Sequence, residues 1–292
     1  MIKYKKPINI LVLSITVLSV IACLVGLFST GGSGPYDFQA ITGETVEIYG
    51  SGLYRNDSVS AVAQGKAGDL VTLVMGIPLL LISLYLTNKG SSRGRLMLTG
   101  TVGYFLYTYM SYTFLWHYNP FFIVYVILMS LSLYAFILCF MSFDIEKIPA
   151  MFNEKMPIKF LAGFQLFVGF GIGLLWLAKI APSIPNGAVP IGLEHYTALV
   201  IQGMDLGFIV PTAILSAVLL LKKKPMGYLL TSVIIIKGFT MLTALSAMII
   251  NMALKGVEMG LVELGMFPLL NLLAVICFVM MMKSVKSNAG RT

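Results

Sequence analysis

Apolar residues in this chain fall into runs of about 20, separated by short polar connections, and the runs hold too few charged positions to be one face of a soluble helix. Runs of that length suit helices that cross a hydrocarbon core of about 30 Å. The pattern predicts eight of them, at about residues 8–28, 67–88, 96–116, 120–141, 158–180, 197–221, 226–251 and 262–282. The expected fold is all-α, a polytopic helical bundle forming a single membrane domain over residues 1–292, with an extracytoplasmic loop over 29–66. Within that loop, TVEIYG alternates like a short strand between glycine-rich turns, so a small hairpin or an amphipathic cap is expected there. Tyr36, Tyr49 and Tyr54 suit interfacial anchors; the competing reading folds GLYRND over the bundle, with Arg55 and Asp57 at the mouth of a cavity.

Composition sharpens the class. The 292 residues are 58% hydrophobic and 11% charged, with a mean hydropathy of +0.90, whereas soluble domains hold about 25% charged residues. The net charge of +8 would point to nucleic acid in a soluble protein, but here it reports orientation, and no nucleic-acid partner is expected. Lys3, Lys5, Lys6, Lys89, Arg93, Arg95, Lys147, Lys155, Lys159, Lys222, Lys223, Lys224, Lys283, Lys286 and Arg291 fall on one side, and Arg55, Lys66, Lys179 and Lys255 on the other. Both termini are therefore expected to be cytoplasmic. Lys3, Lys5 and Lys6 followed by VIAC also resemble a secretory signal with a lipoprotein cleavage box. Apolar residues continue through Phe28, however, so an uncleaved signal-anchor helix is expected. Cys23, Cys139 and Cys277 are too scattered for a metal or redox pair.

Ionisable residues inside the runs are the candidate chemistry, because a charge at the centre of a membrane helix costs about 2.5–3.5 kcal/mol on insertion scales. Asp205 in IQGMDLGFIVP and Lys237 in VIIIKGF both fall near mid-membrane on spans joined by a short turn, so a direct Asp205–Lys237 pair is expected. It would be either a ligand- or ion-binding feature or a purely structural ion pair. Asp69 and Glu263 are expected near the exported ends of their helices, where unpaired backbone amides welcome a carboxylate; with Glu194 they would make an acidic vestibule for cations. Tyr104 and Tyr109 in the aromatic third span are candidate pocket residues, and Gln165 and Gln202 candidate interhelical hydrogen-bonding groups. His117 and His195 lack metal spacing, and no metal or cofactor is expected.

The second and sixth spans can be overlaid: Gln64, Gly65, Asp69, Leu70, Pro78 and Lys89 against Gln202, Gly203, Asp205, Leu206, Pro211 and Lys222, with unequal gaps before the proline. True duplication would give two parallel four-helix repeats related by an axis along the membrane normal. No P-loop, HExxH, GxSxG or dinucleotide fingerprint stands in a suitable context. GSGLYRNDS, DLVTLVMGIPLLLISLYL and RGRLMLTGTVGYFLYTYMSY resemble segments of uncharacterised bacterial multipass membrane proteins; the resemblance implies a bacterial cytoplasmic membrane setting and carries over no activity and no site residues. Three functions remain open: a secondary transporter or channel-like protein for a small solute or ion, a non-catalytic assembly, sensor or accessory protein, and a membrane-embedded enzyme acting on a lipid or quinone.

Overall fold

The computed structural model describes residues 3–185, 187–257 and 260–286, with backbone alone for 261–263. Among these residues are eight long helices: α1 (Lys5–Phe28), α2 (Val59–Asn88), α3 (Ser92–Leu115), α4 (Phe122–Met141), α5 (Ile158–Ile180), α6 (Val200–Leu221), α7 (Pro225–Leu254) and α8 (Leu261–Ser284). Seven are long and apolar enough to cross a membrane; α3 is the exception. Its position explains this. Helix α3 packs against α2, α4 and α7, so it presents protein rather than lipid on most sides, and Thr101, Val102 and Phe105 are fully buried. Small and polar residues then replace Leu and Ile, and Thr99, Ser111 and Thr113 return their hydroxyls to carbonyls of the preceding turn.

Of the two forms expected for the loop after α1, the hairpin is present, with β1 (Tyr36–Gln39) antiparallel to β2 (Thr45–Ile48). The loop is shorter than expected, because α2 starts at Val59. Ser58 caps it by accepting from the Ala61 amide, and the polar Gln64 and Lys66 had masked this first stretch of helix. Asp69 consequently lies about 15 Å along α2 rather than near its start.

The α2–α3 and α6–α7 hairpins match position for position. A π-helical turn, Thr72–Gly76 in one and Asp205–Ile209 in the other, is followed by an α-helical segment whose second residue is proline, Pro78 or Pro211. Both end in a Schellman turn: the Gly90 and Ser91 amides donate to Thr87 and Leu86, and the Lys223 and Lys224 amides to Leu220 and Leu219. The left-handed residue is Gly90 (φ 82°) in the first and Lys223 (φ 52°) in the second. Each following helix then presses a glycine on this turn, so a Cβ would lie 2.6 Å from the Thr87 nitrogen at Gly94 and 2.4 Å from the Leu219 carbonyl carbon at Gly227. In this register Thr72 falls on Asp205 and Tyr104 on Lys237. Asp69 therefore falls almost one helical turn short of the position matching Asp205, with which the sequence overlay pairs it, whereas Pro78 lies over Pro211 and Lys89 over Lys222.

The hairpins cross where α3 meets α7. A Cβ at Gly100 would lie 2.5 Å from Ile236 Cβ, and one at Gly103 would lie 3.9 Å from Val233 Cγ1. Around this crossing the packing is unequal. Helix α2 lies along α7, whereas α3 meets α6 mainly at its first turn, and α5 and α8 touch only sparsely. Gln165, Ser216 and Thr231 tie α5, α6 and α7 together through hydrogen bonds of 2.7–3.2 Å.

Gly94→Ala and Gly227→Ala are each expected to destabilise the protein by about 1–3 kcal/mol, because the new methyl meets backbone that cannot yield. Gly163→Ala on α5, where a Cβ meets nothing within 4 Å, should be neutral or slightly stabilising. Thermal unfolding in detergent compares the three.

Candidate functional site

The space left between α3 and α6 is a cavity of about 650 Å³, walled by α2, α3, α5, α6, α7 and α8 and lined mainly by apolar and aromatic side chains. Lys237 and Asp205 both border it. Lys237 is buried, and its ammonium sits 3.8 Å from the centroid of the Tyr107 ring. The Tyr107 hydroxyl donates to Asp205 Oδ1 at 2.7 Å, and the Trp176 indole donates to Oδ2 at 2.9 Å. The expected direct Asp–Lys pair is therefore not formed. Among the described residues the ion pair is Lys147–Asp144, at 3.2 Å on the surface. The reason is depth: measured from the shared Lys222–Lys224 turn, Lys237 is about 18 Å along α7 and Asp205 about 24 Å back along α6. Tyr107 bridges the offset, offering its ring to the cation and its hydroxyl to the carboxylate. At the matching positions of the first hairpin, Thr72 and Tyr104 bond directly at 2.7 Å.

Tyr104 lines the cavity as expected, but Tyr109 does not; it is fully buried against Tyr125 and Phe105, while Tyr112, whose ring meets it edge-on, reaches the cavity wall. Gln202 is half-buried and absent from the cavity wall, where Gln64 stands instead. Glu263 lies in the first turn of α8, with its side chain outside the described residues. Tyr107 and Trp176 were not singled out from the sequence. Tyr107 shares the Tyr104 face of α3 at helical spacing, and Trp176 is one of two tryptophans in the chain; those were the available signals.

Asp69 belongs to a separate, closed polar centre. It is 2% exposed and accepts from Tyr54 at 2.7 Å and from Tyr112 at 3.0 Å. The close approach needs a glycine opposite, since a Cβ at Gly26 of α1 would lie 2.2 Å from Asp69 Oδ2. Asp69 is thus sealed beneath Tyr54, not part of an open acidic vestibule, and Tyr54 is a buried plug, not an interfacial anchor.

At the loop end of the bundle, Asp57 is buried and accepts from the His117 amide at 3.0 Å and the Tyr196 hydroxyl at 3.1 Å. Ser58 donates to Glu194, and the rings of His117 and His195 stack at 4.4 Å. These contacts clasp the α3–α4 turn and the Glu194, His195 and Tyr196 stretch onto the start of α2. Arg55, which the competing reading places with Asp57 at a cavity mouth, is exposed and outside this cluster.

Eight long helices, seven of them long and apolar enough to cross a membrane and six of them lining a charged, mainly apolar cavity, fit a multi-pass membrane protein. No family model, curated protein or solved structure matches the chain, so this class rests on its own residues.

Burial pushes the Asp57 carboxyl up to about 7 despite the His117 amide and Tyr196 hydroxyl, which pull it down, and Glu194 adds to the rise. Between its ordinary value of 3.8 and about 7 the folded state holds the extra proton, so Asp57 stabilises the clasp at low pH and that contribution is lost as pH rises through about 7. His117 acts in the opposite sense, because burial and His195 lower its value. The Asp57 share is isolated by comparison with Asp57→Asn. Hydrogen exchange of the 116–121 and 193–197 segments, corrected for intrinsic rates, should show wild type losing protection relative to the variant as pH rises from about 5 to about 8.

Proposed function

We propose that this chain is a secondary transporter of the bacterial cytoplasmic membrane, with eight spans, both termini cytoplasmic, and a small solute bound in the cavity beside Lys237 and Asp205. The observation that carries this reading is the placement of a buried ammonium and a carboxylate on the wall of a cavity between two similar hairpins. Intramembrane ionisable residues are costly and concentrate on substrate and ion pathways, and sites between repeats are the rule in transporters. The register shared by the hairpins supports duplication of a four-helix unit. So does the α3–α7 crossing: Gly100 and Val233 occupy matching positions, as do Gly103 and Ile236, so the contacts Gly100–Ile236 and Gly103–Val233 are reciprocal, as an internal two-fold axis requires. The Lys and Arg distribution supports the orientation.

A second reading, a non-catalytic assembly or accessory protein, is favoured by the two hydrogen bonds that already satisfy Asp205. Asp205→Asn and Lys237→Met in reconstituted vesicles separate the two. Transport expects at least a tenfold loss of solute or coupled proton uptake, with thermal stability within a few degrees of wild type. A structural role expects loss of folding and of uptake together, and no uptake defect in any variant that remains folded.

A further inference from the structure

The cavity opens sideways. Phe167 and Leu174 of α5 line it yet are 64% and 68% exposed, so they form its rim. They lie about 14 and 24 Å along a helix about 35 Å long, which puts the opening at hydrocarbon depth rather than at either end of the bundle. Opposite them stand Phe267 and Leu270 of α8, the helix that α5 barely touches. The interior is long, because Tyr104 and Trp116 both line it and are about 18 Å apart along α3. A water-soluble ion or sugar has no reason to approach through lipid into such a space; a lipid-soluble molecule does.

The polar corner selects the head group. Both oxygens of Asp205 already accept hydrogen bonds, whereas Lys237 is engaged by the Tyr107 ring and by no hydrogen-bond acceptor among the described residues. The group missing from the corner is an acceptor. It should carry no net charge, because the carboxylate already balances the ammonium, and a further charge in this low-dielectric site would stand uncompensated.

We infer that the cavity takes a lipid-soluble molecule with a neutral, hydrogen-bond-accepting carbonyl head at Lys237 and an apolar body along α3, reaching it from the bilayer between α5 and α8. This deepens the reading of the cavity as a solute site and rests on it.

The two tryptophans of the chain, Trp116 and Trp176, both line the cavity, so quenching of intrinsic fluorescence by a decyl-substituted benzoquinone reports occupancy in the full-length protein in lipid nanodiscs. Saturable quenching is expected, at least tenfold weaker in Lys237→Met. Decyl methyl ketone should displace the quinone from wild type and decanoate should not. In Asp205→Asn, where the ammonium is uncompensated, decanoate should become the better competitor. Gly171→Phe provides a route that spares the polar corner: Gly171 lines the cavity and a Cβ there meets nothing within 4 Å, so the variant should fold and slow quenching at least fivefold by narrowing the opening. Equal quenching in wild type, Lys237→Met and Gly171→Phe, or displacement by decanoate as effective as by the ketone in wild type, overturns the inference. If the quinone fails while a water-soluble solute is taken up in a Lys237-dependent way, the lipid assignment alone falls; if neither binding nor uptake depends on Lys237 or Asp205, the solute-site reading falls with it.

Discussion

A buried ammonium on the helix that joins both halves of the bundle is the constraint around which the rest is arranged. Leaving Lys237 unbalanced in an apolar wall would cost several kcal/mol, and the α7 backbone around it is fixed by packing on both sides, so the charge cannot move to an end of the helix. The structure offsets this with one aromatic side chain: Tyr107 meets the cation with its ring and passes its hydroxyl to Asp205, whose other oxygen is held by Trp176. A desolvated cation–π contact is worth about 2 kcal/mol, and the nearby carboxylate supplies the remaining electrostatic balance. Residues from α3, α5, α6 and α7 are thereby committed to one corner, and each is needed there because of the others.

The comparison of the two hairpins explains why that corner borders a cavity. Thr72 and Tyr104, at the positions matching Asp205 and Lys237, bond directly, and α2 lies closely along α7. In the other hairpin the same positions carry opposite charges, the side chains do not meet, and α6 stands away from α3 beyond its first turn. Two hairpins with the same turn pattern thus differ at these positions, closed by neutral side chains in one and open around charged ones in the other. The π-helical turns occur in both versions, each ending two residues before a proline and starting at a polar residue: Thr72 bonds within its own hairpin to Tyr104, whereas Asp205 reaches Tyr107 of the other one.

Much of this was legible in the sequence. Helical runs, their approximate ends and the two charged residues on the cavity wall follow from hydropathy and from the cost of burying charge. The misses have physical causes. Asp69 resembled the counterpart of Asp205 because both precede a proline, but the register is set by the π turn and the Schellman turn, and neither shows in hydropathy; only the structure reveals that Thr72 is the matching residue. The start of α2 was hidden because Gln64 and Lys66 interrupt the apolar run, although the helix continues through them. Tyr107 was passed over because a tyrosine among many tyrosines carries no distinguishing signal until its hydroxyl and ring faces are seen to meet two different charges. Arg55 pointed outward while its neighbour Asp57 turned inward, a choice decided by the His117 amide and the Tyr196 hydroxyl, both remote in sequence.

The central claim, that the corner formed by Lys237, Tyr107 and Asp205 receives a molecule rather than merely holding helices together, is tested most directly by a high-resolution density map of the protein isolated from its own membrane without added ligand. The account expects elongated non-protein density along α3, with one end within hydrogen-bonding distance of Lys237 Nζ and the other toward the gap between α5 and α8. A map in which α5 and α8 close against each other and side chains fill the space beside an unapproached Lys237 would contradict it.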